Sequence, residues 1–342
     1  LKLYEIHVSN GNCQVIIGES IKNLKNYLKS EKNVVITDKN VRHFYEHCFS
    51  DFEVIEIGLG EQIKNLETVE EIYQKLLEME MDRSSFVIGI GGGIVCDVAG
   101  FSASTYMRGL GFGFVPSTLL AQVDASIGGK NGVNFKGYKN IIGVFNQPQF
   151  VLCDIDLLHT LPEKELLCGM AEVVKHALIK SPSYFHYLEQ EWSSLLSLKP
   201  KTVEKVVDDS IKIKSEIVQA DALESGERRK LNFGHTLGHA IEKKCQLPHG
   251  EAISIGMVIA SRISVAKGML SPEDADRIKT LLQNLKLPTQ LPPNKDLLID
   301  AIKKDKKREG EDIHFVLLAG IGKAEVIKIS YEELEDQISD LC

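Results

Sequence analysis

The residue pattern of this chain predicts an α/β fold, with a helix-covered parallel sheet in the N-terminal part and a mainly helical C-terminal part. Three observations carry that expectation. Apolar strand-like runs alternate with amphipathic helical ones through the first half. Near residues 157–162 the alternation stops and helical spacing takes over. A Gly-Ile-Gly-Gly-Gly run directly follows one of the apolar strands. The domain boundary is therefore placed after residue 160, giving an α/β domain over 1–160 and a helical one over 161–342.

Taken in order, residues 4–8 and 14–17 read as strands and 20–28 as amphipathic. Val34, Val35, Ile36 and Thr37 form a short buried strand that ends at Asp38. A carboxylate there either accepts from ribose hydroxyls or caps the next helix, and the pattern leaves both open. A helix over 41–49, a strand over 54–57, a helix near 66–79 and a strand over 86–90 continue the alternation. Ligands are expected at the carboxyl ends of such strands. Gly91, Gly92 and Gly93 lie at one of those ends, before a helical run over 94–104. Glycines there let N–H groups and a helix N-terminus approach a pyrophosphate without Cβ clashes. The spacing departs from G-x-G-x-x-G, since Ile94 and Cys96 stand where a third glycine would fall. Asp97 then either faces a nicotinamide ribose or favours the positive end of the helix dipole.

The stretch from Tyr106 to Gly143 is dense in polar residues and glycine turns, with Arg108, Asp124, Lys130, Lys139 and Asn140 among them. That combination suits an anionic ligand. Beyond it, helices are expected over 163–179, 184–196, 203–218, 252–265, 272–285 and 297–304. Strands over 313–318 and 324–329 read as a hairpin before a closing helix. His235 and His239 stand at i and i+4 on one helical face, and His249 follows at a turn after Leu247-Pro248. Paired imidazoles suit a divalent metal, which usually also wants a carboxylate and an open position. Glu172 offers one, in an apolar helix with Lys175 and His176 at i+3 and i+4; internal salt bridging is the other reading of that trio.

At 342 residues the chain has room for two domains. A net charge of −8 argues against binding a phosphate backbone, so no nucleic-acid partner is expected. No run approaches the ~20 apolar residues of a membrane span, and no charged-then-apolar leader opens the chain, so a cytoplasmic, membrane-free protein is expected. Seven scattered cysteines without a C-x-x-C pair fit a reducing compartment and argue against thiolate zinc.

Several blocks then agree in order: Gly91-Gly92-Gly93 with Asp97, YMRG at Arg108, PSTLLAQVDASIGGK, KNIIG, GMAEVVK, LNFGHTLGHAIE and HGE. Together they resemble the 3-dehydroquinate synthase family of sugar phosphate cyclases, over a span from about Asp38 to Lys307. The resemblance implies a Rossmann-like NAD-binding domain followed by a metal- and substrate-binding domain, working as a homodimer on the shikimate pathway to aromatic amino acids. It implies a carbon–oxygen lyase that converts 3-deoxy-D-arabino-heptulosonate 7-phosphate into 3-dehydroquinate and phosphate. Glu172, His235 and His249 become the ligands of zinc or cobalt, and His239 a substrate or proton-transfer group rather than the partner of His235. The NAD contacts implied are Asp38, Glu61, Lys64, Gly91, Gly92, Gly93, Asp97, Ser117, Thr118, Lys130, Lys139 and Thr160, with Ser117 where the family usually has Thr. Substrate would be met by Asp124, Lys130, Asn140, Lys175, Lys214, Arg228 and Asn232. Arg108 would reach a neighbouring subunit's site, and Lys306 would be a further phosphate contact. Kept beside this are another NAD- and metal-dependent cyclase, a metal-dependent polyol dehydrogenase, and a helical binding module with a structural metal.

Overall fold

The computed structural model describes residues 1–290 and 312–340; the helix expected over 297–304 and Lys306 lie outside the described residues. The chain forms two compact units, Leu1–Pro162 with Val203–Leu223, and Glu163–Thr202 with Glu224–Cys342.

In the first unit the strands are β1 (Lys2–Val8), β2 (Gly11–Ile17), β3 (Asn33–Asp38), β4 (Glu53–Ile57), β5 (Phe86–Gly91), β6 (Gly111–Pro116), β7 (Lys130–Phe135), β8 (Tyr138–Phe145) and β9 (Phe150–Cys153). Seven of them make one sheet in the order β1-β2-β9-β6-β5-β3-β4. Only β1 runs antiparallel, as a hairpin with β2; the other neighbours are parallel. Helices α1 (Lys39–Phe49), α2 (Leu66–Glu78) and α3 (Gly93–Thr105) supply the crossovers. The predicted fold class is the one observed.

Every residue of β5 is buried, which explains a continuous apolar run where a half-exposed strand would alternate. Ile16, Val35, Ile88, Val115 and Leu152, one from each of five strands, meet in one core. Each such side chain contributes about 1.5–3 kcal/mol on burial. Gly89 permits the close seating of α3 on β5, because a Cβ there would stand 3.0 Å from Phe114 and 3.1 Å from Ala99.

The polar stretch is more ordered than its composition suggests. It holds β6, a short π-helical turn at Ala121–Ala125, and the antiparallel β7–β8 hairpin. Neither β6 nor β9 announces itself in the sequence. Both are short, lack alternation and are buried almost throughout.

The second unit holds α4 (Glu163–Lys180) and α5 (Pro182–Leu196). The chain then passes through α6 (Pro200–Ala220), most of which belongs to the first unit. It returns as α7 (His235–Cys245), α8 (His249–Ala266), α9 (Pro272–Asn284), the hairpin β10 (Asp312–Leu318) and β11 (Ala324–Ser330), and α10 (Tyr331–Asp340). Helix α8 is buried on nearly all sides, as its all-round apolar sequence requires, and α4 is buried likewise from Cys168 to Ile179 despite Glu172, Lys175 and His176. Among the described residues no helix is long and apolar enough to cross a membrane.

Candidate active site

At the carboxyl end of the parallel strands the first unit gathers Asp38, closing β3, Gly91, closing β5, Gly92, which caps α3, and Ser117 and Thr118 after β6. The Ser117 N–H donates to the Gly91 carbonyl at 2.9 Å, which ties the ends of β5 and β6 together. Asp38 caps α1, accepting from the N–H groups of Asn40 and Val41 at 2.8 and 3.0 Å. The capping alternative is therefore realised at Asp38, and burial raises its carboxyl above the ordinary range.

Asp97 pairs with the buried Lys64. Burial raises the Asp97 carboxyl, and the Lys64 ammonium only partly offsets it. Glu61 accepts from the Asn134 side-chain amide at 2.7 Å, and the Thr160 hydroxyl bonds the Tyr45 hydroxyl at 2.7 Å. Lys214 of α6 donates to the Asp124 carboxylate at 2.7 Å and to the carbonyl of the same residue. Lys130, Lys139 and Asn140 are exposed on the β7–β8 hairpin, Asn140 with φ at +50°. Arg108, also exposed, stands beyond the far end of α3, about 18 Å along the helix from Gly93 at 1.5 Å per residue. It is thus not brought to the glycine junction of its own chain.

In the second unit Glu172, Lys175 and His176 lie fully buried on α4. His235 is the first residue of α7, and His249 the first of α8, so the helix expected from 252 starts three residues earlier and His249 is helical rather than in a turn. Both imidazoles turn Nε2 to the same carboxylate oxygen, Glu172 Oε1, His235 at 3.4 Å and His249 at 3.3 Å. The other oxygen, Oε2, pairs with Lys175. Ligands about 2.1 Å from a tetrahedral zinc ion stand about 3.4 Å apart, so both histidine–carboxylate distances fit a divalent cation, with all three ligand atoms within 4.8 Å of one another. His239, the i+4 partner by spacing, stacks edge-on against His235 with ring centroids 5.3 Å apart. A second group of three, His239, Glu242 and His249, also has its ligand atoms within 4.8 Å of one another.

The surroundings keep the Glu172 carboxylate ionised. Burial alone would raise the Glu172 carboxyl, but Lys175 and the two imidazoles hold it well below the usual carboxylate range. Burial lowers His235, with Glu172 opposing. For His249 burial also acts to lower, yet Glu172 and Glu242 outweigh it and push the imidazole up to about 9.

Arg228 is buried in a 3-10 turn at Glu227–Asn232, and Asn232 donates to the Glu224 carboxylate at 2.6 Å. Sequence reasoning passed over Glu224, which sits in a loop with φ at +62° and has no periodic neighbour to mark it. It also passed over Glu242, which by sequence is one more charge on a helical face.

Family models described as 3-dehydroquinate synthase N-terminal and C-terminal match residues 54–168 and 169–308. A 3-dehydroquinate synthase of Prochlorococcus marinus (strain MIT 9312) is 41% identical over 98% of this chain and 95% of its own length. A crystal structure of 2-deoxy-scyllo-inosose synthase complexed with carbaglucose-6-phosphate, NAD+ and Co2+ superposes with a TM-score of 0.90 at 25% identity, covering 99% of this chain and 100% of that one. A 2-epi-5-epi-valiolone synthase from Streptomyces hygroscopicus with NAD+ and Zn2+ bound gives 0.88 at 29% identity, covering 98% and 97%.

Proposed function

The chain belongs to the 3-dehydroquinate synthase family, and we propose on that premise that it converts 3-deoxy-D-arabino-heptulosonate 7-phosphate into 3-dehydroquinate and phosphate. Its cofactors are NAD and a divalent metal, zinc or cobalt, as in the related cyclases. When bound, NAD takes up and returns a hydride within each turnover while the metal polarises the sugar hydroxyls.

The first unit would bind NAD, with the Gly91–Gly93 junction at the pyrophosphate, Asp38, Glu61, Lys64, Asp97, Ser117, Thr118, Lys139 and Thr160 around it, and Lys130 shared with substrate. Lys130 and Asn140 would hold the substrate phosphate by charge-assisted hydrogen bonds, with Arg108 serving a neighbouring copy in a homodimer. Lys214, held in place by Asp124, would take the carboxylate. In the second unit Glu172, His235 and His249 would hold the metal, and Lys175 would balance the second oxygen of Glu172. Arg228 and Asn232 would meet the carboxylated end of the substrate, and His239, beside the ligands, would move a proton. Oxidising a ring hydroxyl acidifies the neighbouring C–H, so phosphate leaves by β-elimination. Re-reduction, ring opening and an intramolecular aldol closure complete a redox-neutral lyase. The cytoplasm is its natural compartment.

The observation that carries the metal-dependent reading is the pair of Nε2 atoms facing Glu172 Oε1 at 3.4 and 3.3 Å. The test mixes the protein with the heptulosonate phosphate, catalytic NAD and zinc, following phosphate and NADH together. Phosphate released over many turnovers without NADH build-up, and abolished by chelator, is the expected result. NADH formed stoichiometrically from simple polyols would instead mark a dehydrogenase.

A further inference from the structure

We infer that Glu242 positions His249 as a metal ligand, by accepting a hydrogen bond from Nδ1–H and so leaving the Nε2 lone pair for the ion. The inference rests on the reading that Glu172, His235 and His249 hold that ion.

The geometry is two-sided. His249 sets Nε2 3.3 Å from Glu172 Oε1 and Nδ1 3.5 Å from Glu242 Oε2. A neutral imidazole carries one proton, so an acceptor at Nδ1 decides which nitrogen keeps a lone pair. His235 shows the same design with a weaker partner: its Nδ1 lies 3.2 Å from the Phe233 carbonyl oxygen, with Nε2 toward Glu172. Both rings thus meet Glu172 through Nε2, and both have an oxygen behind Nδ1. They differ in that oxygen's charge. A carboxylate behind an imidazole raises its donor strength and fixes its plane, as outer partners of metal-bound histidines do.

Glu242 stands seven residues after His235 on α7, so one helix carries both a ligand and the partner of the next ligand. The Glu242 side chain is 15% exposed and that of His249 30%, which keeps the contact largely out of bulk water. The competing arrangement makes Glu242 itself a ligand, with His239 and His249, of a second ion. The positioning role needs only a neutral ring, whereas a second ion at Nδ1, with Nε2 given to the first, would make His249 a fully deprotonated bridge between two cations.

The test strips the full chain of metal and titrates Co2+, reading the dissociation constant by chelator competition and the visible ligand-field spectrum. Wild type, Glu242→Ala, Glu242→Gln and Glu172→Gln are compared, with circular dichroism to establish folding. Expected are one ion in the wild type and about 10–100-fold weaker binding with a shifted spectrum in Glu242→Ala. Glu242→Gln, whose amide oxygen still accepts from Nδ1, should fall between. Wild-type affinity and spectrum in Glu242→Ala would overturn the inference. So would a second Co2+ in the wild type that Glu242→Ala alone removes, since Glu242 would then be a ligand in its own right. Unchanged binding in Glu172→Gln would instead refute the underlying metal site, and the inference would fall with it.

Discussion

Replacing Gly250 by alanine tests whether the metal site depends on how closely α8 packs on α4. Gly250 follows His249 in the first turn of α8, and its N–H points at the Cys168 sulfur on α4, 3.5 Å away. A Cβ at this position would stand 2.9 Å from the Cys168 carbonyl oxygen and 3.1 Å from its carbonyl carbon, and closer still to its Cα. The obstacle is backbone, so no rotamer change relieves it. Carbon contacts settle at about 3.5–4.0 Å, so the start of α8 must retreat by about 1 Å. That exceeds the ~0.2 Å tolerance of a metal–ligand bond and carries His249 with it. Overpacking of this kind costs about 1–3 kcal/mol, which corresponds to a loss of metal affinity on the order of 10–100-fold if it falls on the bound state. Chelator competition with Zn2+ reads the affinity, and a thermal melt of the metal-free protein reads the packing strain. Wild-type affinity with a wild-type melt would refute the reasoning.

Metal uptake is also linked to protons. In the metal-free protein His249, pushed up to about 9, carries a proton at pH 7 that ligation must displace. Calorimetry in buffers of different ionisation enthalpy should therefore show about one proton released per Zn2+ at pH 7, declining above pH 9. The sign for stability is the same, because a raised folded-state pKa stabilises fully below the unfolded value of 6.5 and is lost as pH rises through about 9. Chelated protein melting higher at pH 9 than at 6.5 would contradict it. In the first unit, Lys64→Met leaves Asp97 buried without its partner and should cost about 3–5 kcal/mol in urea unfolding, with Asp97→Asn in the same chain restoring much of it. An unchanged midpoint in Lys64→Met alone would show the pair to be idle. Asp38→Ala should cost about 1 kcal/mol through the lost α1 cap, and Asp38→Asn only a few tenths. Both should weaken NAD binding; an Asn variant that melts as low as the Ala variant would rule out the cap.

Periodicity made the alternating half legible, because β3, β5 and their crossover helices each repeat a local pattern long enough to count. It failed at β6 and β9, whose few residues are interrupted by glycine or buried on both faces. Amphipathicity showed that α6 has a buried face, yet not which unit receives it, since that choice is made by Lys2, Tyr4 and Asp124, far away in sequence. Around the metal site, Glu172 stood out as a charge in an apolar helix. His235 and His239 suggested a pair by spacing, whereas the Glu172 oxygen faces His235 and His249, because α8 begins at His249 itself. Glu224 and Glu242 carry no pattern of their own and gain meaning only from Asn232 and His249 beside them.

The return of α6 to the first unit sets an order of events during synthesis. The edge strand β1 is fastened to α6 by Lys2 and Tyr4, each 2.6 Å from Asp208, and the His7 N–H donates to Gln219 at 3.2 Å. Those partners lie 204 to 212 residues downstream. At about 5–20 residues per second, a ribosome leaves β1 without them for roughly 10–40 s. The contacts that fasten β1 to α6 thus form long after β1 and its hairpin partner β2 have been made, and a nascent chain halted before residue 203 lacks them.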